Sequence, residues 1–196
     1  YRVFHGRLRY NGAKAFSQHI ELQQESGVPL PEGLRALSGE VDPGTQYPLR
    51  VMRVKDEAEM VLVPEGPFMM GLQKGREEER PPHMVRLGAY YIDRYPVTNK
   101  QYQLFLKESG PRRPKFWSEP RYNVPNQPVV GIGWNEARRY CEWTGAALPT
   151  EAEWEKAARA TDGRLFPWGN MRPTPAIACY EKARKGPGPV VVDRLP

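Results

Sequence analysis

The chain has 196 residues, of which 39% are hydrophobic and 27% charged, a composition typical of a soluble protein with one domain and an appendage. No apolar run approaches the ~18 residues that a membrane-spanning helix requires. Two cysteines and three dispersed histidines do not make a disulfide framework or a local metal site, so we expect no metal from this chain alone. The formal net charge is +6, yet the basic side chains are scattered beside carboxylates, so we expect no nucleic-acid partner.

Residues 1–50 are predicted to form a β-hairpin extension and a linker ahead of the main domain at 51–196. Apolar and polar side chains alternate over 2–10 and 16–23, on either side of an Asn-Gly turn signal. The extension is either the end of a preceding β domain or an embellishment that packs on the main one. Because the chain opens at Tyr1 and shows no signal peptide, we expect a segment of a longer protein, whose compartment the sequence does not indicate.

Five short strands are predicted in the first half of the main domain. They lie at 49–54, 60–63, 68–70, 84–87 and 90–92. Prolines, glycines and a charged loop at 73–82 separate them, and the last two strands are expected to form a pair. Strands this short and this often interrupted favour an irregular α+β domain over a β-sandwich.

Three short helices are predicted from their N-terminal capping signals. Thr98 and Gln101 form a capping box at the start of the first helix, and Thr150 and Glu153 form another at the start of the third. Asn135 is expected to cap the second helix. The acidic first turn of the third helix is interpreted as capping the helix dipole rather than as a catalytic carboxylate cluster.

Three blocks carry most of the specific sequence pattern. The first is MVLVPEGPFMMG at 60–71, and the second is YIDRYPVTNKQYQLF at 91–105. The third, at 128–170, contains PVVGIGW, LPTEAEWE and FPWGN. In this order they resemble the formylglycine-generating enzymes, or sulfatase-modifying factors, over residues 57–170. The resemblance implies a variant of the C-type lectin fold, which is irregular, coil-rich and α+β, with short strands and the three short helices above.

Large aromatic side chains are expected to fill the core of such a coil-rich fold, since each can bury about 150–250 Å². The expected structural core residues are Trp134, Cys141, Trp143, Trp154 and Trp168. Trp154 follows a capping box on the expected inner face of its helix, so replacing it with alanine is expected to cost about 3–5 kcal/mol. Trp117 lies in a variable loop and is the candidate exposed contact.

No catalytic residue is assigned in this chain. The resemblance implies that active family members bind copper through a reactive cysteine pair, and that this pair and the calcium-binding segments follow the FPWGN turn. This chain ends 26 residues after Asn170, so we expect calcium and copper only with the remaining C-terminal part of the domain. Cys141 matches a structural cysteine position of the family, and Cys179 has no assigned counterpart.

Two functions are weighed on this basis. The first is a non-catalytic binding or assembly module for a protein or small-molecule ligand, as in relatives that are fused to kinases or surface assemblies. The second is a partial view of a copper-dependent formylglycine-generating oxidase that acts on a sulfatase cysteine. Sulfoxide synthases of thiol-histidine biosynthesis share the domain but bind iron through a further helical domain, which is not visible here. The C-terminal stretch is locally basic and suits an acidic partner; its basic residues are Arg172, Lys182, Arg184, Lys185 and Arg194.

Overall fold

The computed structural model describes residues 7–9, 28–110, 112–178 and 189–192. Within them the chain forms seven short strands, three α-helices and one 3-10 turn, joined by irregular coil. The strands are β1 (Arg7–Arg9), β2 (Leu34–Ala36), β3 (Arg50–Arg53), β4 (Ala58–Val63), β5 (Gly66–Met70), β6 (His83–Leu87) and β7 (Tyr90–Asp93). The helices are α1 (Asn99–Ser109), α2 (Trp134–Thr144) and α3 (Glu151–Arg159), and the 3-10 turn is Glu77–Glu79. None of these helices is long and apolar enough to cross a membrane.

Five of the strands form one antiparallel sheet in the order β1-β7-β4-β3-β2, and β5 pairs with β6 in a second sheet. The predicted pairing of 84–87 with 90–92 is therefore wrong, because β6 pairs with β5 while β7 lies between β1 and β4. Burial accounts for the difference. All four residues of β7 are buried, as in an interior strand, whereas β6 has no fully buried residue and suits an edge.

The described part of residues 1–50 packs on the main domain. Leu34 of β2 and the nearby Tyr47 contact the cluster around Val51 and Met60, and β2 pairs directly with β3. β1 pairs with β7, whereas most of the predicted hairpin lies outside the described residues. The domain boundary near residue 50 stays a prediction.

An aromatic core joins α1 to α2. The ring of Tyr102 stacks on that of Tyr140 with centroids 5.6 Å apart and planes 11° apart, and Phe105 meets both rings edge-on. Val97 and Val129 complete this buried cluster. Aromatic pairs of this kind each contribute about 0.5–1.5 kcal/mol beyond the area that they bury.

The capping boxes of α1 and α3 are confirmed. Thr98 Oγ1 accepts from the backbone N–H of Gln101 at 3.3 Å, and Gln101 Oε1 accepts from the N–H of Thr98 at 2.9 Å. At α3, Thr150 Oγ1 accepts from the N–H of Glu153 at 3.3 Å, and the Glu153 carboxylate accepts from the N–H of Thr150 at 2.8 Å. Each pair satisfies two backbone donors that a helix start otherwise leaves unpaired.

The predicted cap of α2 is wrong by two residues. The N-cap residue is Gly133, and the carboxylate of Glu136 accepts from its backbone N–H at 2.5 Å. Asn135 therefore lies within the first turn, exposed to solvent. Because Glu136 at the third helical position supplies the acceptor, α2 begins without an N-cap side chain.

Helix α3 is fastened to the end of β5 through its polar side chains. The backbone N–H of Gly71 donates to Glu155 Oε1 at 2.7 Å, and Arg159 donates to the carbonyl oxygen of Gly71 at 3.1 Å while it pairs with Glu155. Lys156 Nζ donates to the carbonyl oxygens of Pro64 and Gly66 at 2.6 and 3.1 Å. These bonds hold the β4–β5 turn and the end of β5 against α3.

Candidate binding surface

Two of the predicted core tryptophans are the most exposed aromatic side chains of the helices. Trp134 is 63% exposed and Trp154 is 55% exposed, so their core assignment is wrong. In α3 the inner face is formed by Glu153, whose carboxylate caps the helix, and by Lys156, whose ammonium binds the β4–β5 turn. Because backbone partners satisfy both polar groups, Glu153 and Lys156 can occupy the buried face of α3. Trp154 then lies on the face of the helix that is exposed to solvent.

Replacing Trp154 with alanine is therefore expected to change the free energy of unfolding by less than about 1 kcal/mol, because the side chain is already mostly in water. Trp143→Ala is the matched control and is expected to cost roughly 2 kcal/mol or more, since this ring packs on Phe105 and Tyr140. Urea melts of both variants measure the difference. Equal losses would contradict the outward placement of Trp154.

The other predicted core residues occupy three different settings. Trp143 is half-buried against the aromatic core, and its Nε1 donates to Glu108 at 3.0 Å. Trp168 is half-buried outside the core clusters, where it stacks on Phe166 with centroids 5.1 Å apart. Cys141 is fully buried, and burial raises the pKa of its thiol to about 12. Cys179 lies outside the described residues.

Trp117, the predicted exposed contact, instead packs against the aromatic core. Its ring lies 6.3 Å from that of Tyr102, and its backbone carbonyl accepts from Asn123 Nδ2 at 3.3 Å. The loop turns back on itself at this point, since the N–H of Trp117 donates to the carbonyl of Pro114 at 3.1 Å. That turn points the indole inward and leaves the basic residues of the loop outside.

A buried charge cluster connects the sheet to α2, and the sequence analysis missed it. Arg53 Nε and Nη2 donate to the two carboxylate oxygens of Asp56 at 2.8 and 2.7 Å, and Nη1 donates to Asp93 Oδ1 at 2.9 Å. The hydroxyl of Tyr140 donates to Asp56 Oδ2 at 2.5 Å. Burial alone lowers the pKa of Arg53, but the two carboxylates outweigh it and raise that pKa. The alternation in β3 was the available signal, because Arg53 shares the inner face with buried Val51.

The described residues do not provide the ligands that a copper site needs. Copper(I) favours thiolates, and the one described cysteine is buried and protonated at neutral pH because of its raised thiol pKa. Within the described ranges, no group of three or more His, Cys, Asp or Glu side chains is arranged to hold a metal ion. Since residues 179–188 lie outside them, the absence of a metal in the whole chain stays a prediction.

The α2–loop surface is formed by the loop 112–122 and the outer face of α2. The loop is anchored beside the start of the helix, because the N–H of Lys115 donates to the carbonyl of Gly131 at 3.0 Å. A Cβ placed on Gly131 would lie 2.8 Å from the ring of Phe116, so the absence of a side chain there permits the contact. The exposed basic residues of this surface are Arg112, Arg113, Lys115, Arg121, Arg138 and Arg139.

Three of these basic groups lie over aromatic rings of the same surface. The distances from cation to ring centroid are 5.3 Å for Lys115 over Phe116, 4.7 Å for Arg121 over Tyr122, and 5.5 Å for Arg138 over Trp134. Cation–π contacts at exposed sites contribute about 0.5–1 kcal/mol each. They hold these cations in defined positions on the surface.

Tyr102 lies beneath the α2–loop surface. Burial raises the pKa of its hydroxyl to about 12, with the charge of Glu136 adding to that effect and the charge of Arg139 opposing it. The ring of Tyr102 packs against Trp117 of the loop. Among the described residues the hydroxyl has no hydrogen-bond partner.

Comparisons with known proteins agree with this architecture. A model of the family described as "Sulfatase-modifying factor enzyme 1-like domain" matches residues 48–186. Hercynine oxygenase from Mycolicibacterium smegmatis is 30% identical over 203 residues, covering 85% of this chain and 43% of the relative. Formylglycine-generating enzyme from Thermomonospora curvata is 34% identical over 158 residues, covering 57% of this chain and 52% of the relative.

A solved structure shows the same fold. The chain matches PvdO from Pseudomonas aeruginosa with a TM-score of 0.63 and 30% identity, over 80% of this chain and 69% of that one. The predicted fold class, an irregular α+β domain of the sulfatase-modifying factor type, is confirmed. The chain spans about half the length of the curated relatives that it matches.

Proposed function

Because the chain belongs to the sulfatase-modifying factor enzyme 1-like family, we propose that its domain acts as a non-catalytic binding or assembly module. The observation that carries the proposal is the α2–loop surface, which presents Trp134 and several arginines to solvent on a well-packed helix. Tryptophan and arginine are the side chains most enriched among residues that dominate binding energy at protein interfaces.

The scaffold behind this surface supports a preorganised site. The inner face of α2 is fixed by the buried side chains of Ala137, Tyr140 and Cys141, and its start is fixed by the bond between Glu136 and Gly133. A helix held in this way loses little backbone freedom when a ligand binds, so less binding energy is spent on ordering the chain. The same packing withholds the thiol of Cys141 from any reactant.

The second candidate is an oxidase in which this chain is one part. It is favoured by the likeness to proteins named hercynine oxygenase and formylglycine-generating enzyme, each of which extends well beyond the matched region. The copper and calcium that the family resemblance implies would then be held by residues other than the described ones. The substrate of such an oxidase would be a sulfatase cysteine.

A thiol-oxidation assay tests whether this chain oxidises a peptide thiol by itself. The chain is incubated with copper, oxygen and a cysteine-containing sulfatase peptide, and the peptide is followed by mass spectrometry. We expect no loss of the peptide thiol beyond that in a control without protein, because a buried, protonated Cys141 cannot supply a thiolate. Turnover that disappears in Cys141→Ser or Cys179→Ser would overturn the non-catalytic proposal and establish the oxidase.

A further inference from the structure

We propose that the α2–loop surface binds an acidic, carboxylate-rich peptide segment of a partner protein. The inference rests on the proposed function as a binding module and names the chemical class of its partner. It concerns a different surface from the basic C-terminal stretch, most of which lies outside the described residues.

The charge balance of this surface carries the first step. Residues 112–144 contain six basic and three acidic side chains, a net charge of +3 in a chain whose total is +6. All three acidic groups already have partners. Glu119 pairs with Arg121 at 3.1 Å, Glu142 pairs with Arg138 at 2.8 Å, and Glu136 accepts from the backbone of Gly133 at 2.5 Å.

The remaining four basic side chains are available to a partner. Arg112, Arg113, Lys115 and Arg139 are exposed, and within the described residues none of them has a carboxylate within 4.0 Å. Guanidinium groups bind carboxylates through two parallel hydrogen bonds, which makes arginine the side chain best suited to an acidic peptide. A segment with several Asp or Glu residues would complement this excess of positive charge.

The aromatic rings of the surface argue against single-stranded nucleic acid as the partner. Sequence-independent binding of single strands needs open aromatic faces on which the bases stack. Here Phe116, Tyr122 and Trp134 each have a cation of this chain lying over the ring. One face of each of these rings is therefore covered by a hydrogen-bond donor of this chain, and Tyr122 is also buried.

A binding titration tests the proposal. A fluorescein-labelled poly-glutamate peptide is titrated with the chain, without copper, and followed by anisotropy; poly-glutamine and a single-stranded oligonucleotide serve as comparison probes. We expect poly-glutamate to bind, with affinity that falls as salt is added. The double variant Arg112→Glu/Arg139→Glu is expected to weaken binding about tenfold or more, since it removes two cations and places two like charges opposite the carboxylates of the peptide.

The matched control is Arg35→Glu/Lys74→Glu, which changes two exposed basic residues outside this surface and alters the net charge by the same amount. It is expected to weaken binding less than about twofold. Equal losses in the two double variants, no binding of poly-glutamate, or tighter binding of the oligonucleotide would each overturn the proposal. Circular dichroism checks the fold, and Arg112→Gln/Arg139→Gln replaces the reversal variant if that one unfolds. If poly-glutamate does not bind and the thiol-oxidation assay shows no turnover, only the acidic partner is rejected. If that assay does show turnover, the proposed function as a binding module is itself rejected.

Discussion

Replacing Arg53 with methionine is expected to lower the free energy of unfolding by about 3–5 kcal/mol. The guanidinium is 1% exposed and lies between the carboxylates of Asp56 and Asp93, which are also buried. Methionine keeps the apolar stem but leaves two carboxylates in the interior without their cation. Removing one partner of a buried ion pair costs more than the pair itself contributes, because the remaining charge stays away from water.

Arg50→Met, three residues earlier in the same strand, is the control for this variant. Arg50 pairs with Glu59 at 2.6 Å but is 45% exposed, so its loss is expected to cost less than about 1 kcal/mol. Guanidinium chloride melts at neutral pH measure both changes. If Arg53→Met were no more destabilising than Arg50→Met, the buried cluster would not hold the sheet to α2.

Substituting alanine for Gly71 is expected to cost about 2–5 kcal/mol, from backbone strain and a steric clash together. Gly71 has φ +87°, and a Cβ at this position would lie 2.6 Å from the backbone oxygen of Glu79. Any shift of the backbone to relieve that contact would also disturb the bonds from Gly71 to Glu155 and Arg159. The attachment of α3 to the end of β5 should therefore weaken.

Gly33→Ala separates the two contributions. Gly33 has φ +82°, close to that of Gly71, but no atom lies within 4 Å of a Cβ built there. Strain alone should cost about 1–2 kcal/mol. Thermal melts of the two variants give the comparison, and a Gly33→Ala loss as large as that of Gly71→Ala would show that the clash with Glu79 contributes nothing.

The sequence was sufficient to predict the parts of the fold whose interactions lie between residues close together in the chain. The capping boxes at Thr98 and Thr150 need only a hydroxyl and an acceptor three positions later, so the sequence predicts them directly. The strands at 60–63 and 90–92 follow from short apolar runs between turn residues. The fold that these elements build was predicted from the three sequence blocks that resemble the family.

The features that the sequence did not predict depend on distant partners. Treating a tryptophan as apolar placed Trp154 inside, whereas the inward position belongs to Lys156, whose ammonium binds carbonyl oxygens about ninety residues earlier in the chain. Arg53 was assigned no partner from the sequence, because Asp93 lies on another strand forty residues later in the chain. The alternation in β3 indicates that Arg53 faces inward, but no local pattern identifies Asp93 as its partner or predicts the exposed position of Trp134.

The contacts that unite the domain also delay its assembly during synthesis. Tyr140 reaches back 84 residues to Asp56, and Lys156 reaches back 92 residues to Pro64. Each such contact requires a long loop to close, and the entropy of the loop is lost before the energy of the contact is gained. Proteins rich in long-range contacts therefore fold slowly. The strands therefore leave the ribosome well before the helices that complete them. In that interval Asp56 lacks its hydrogen bond from Tyr140, and the carbonyls of Pro64 and Gly66 lack theirs from Lys156. During that interval the unpaired strand edges can associate with other chains, so a nascent chain without α3 is more exposed to aggregation, and more dependent on chaperones, than the completed domain.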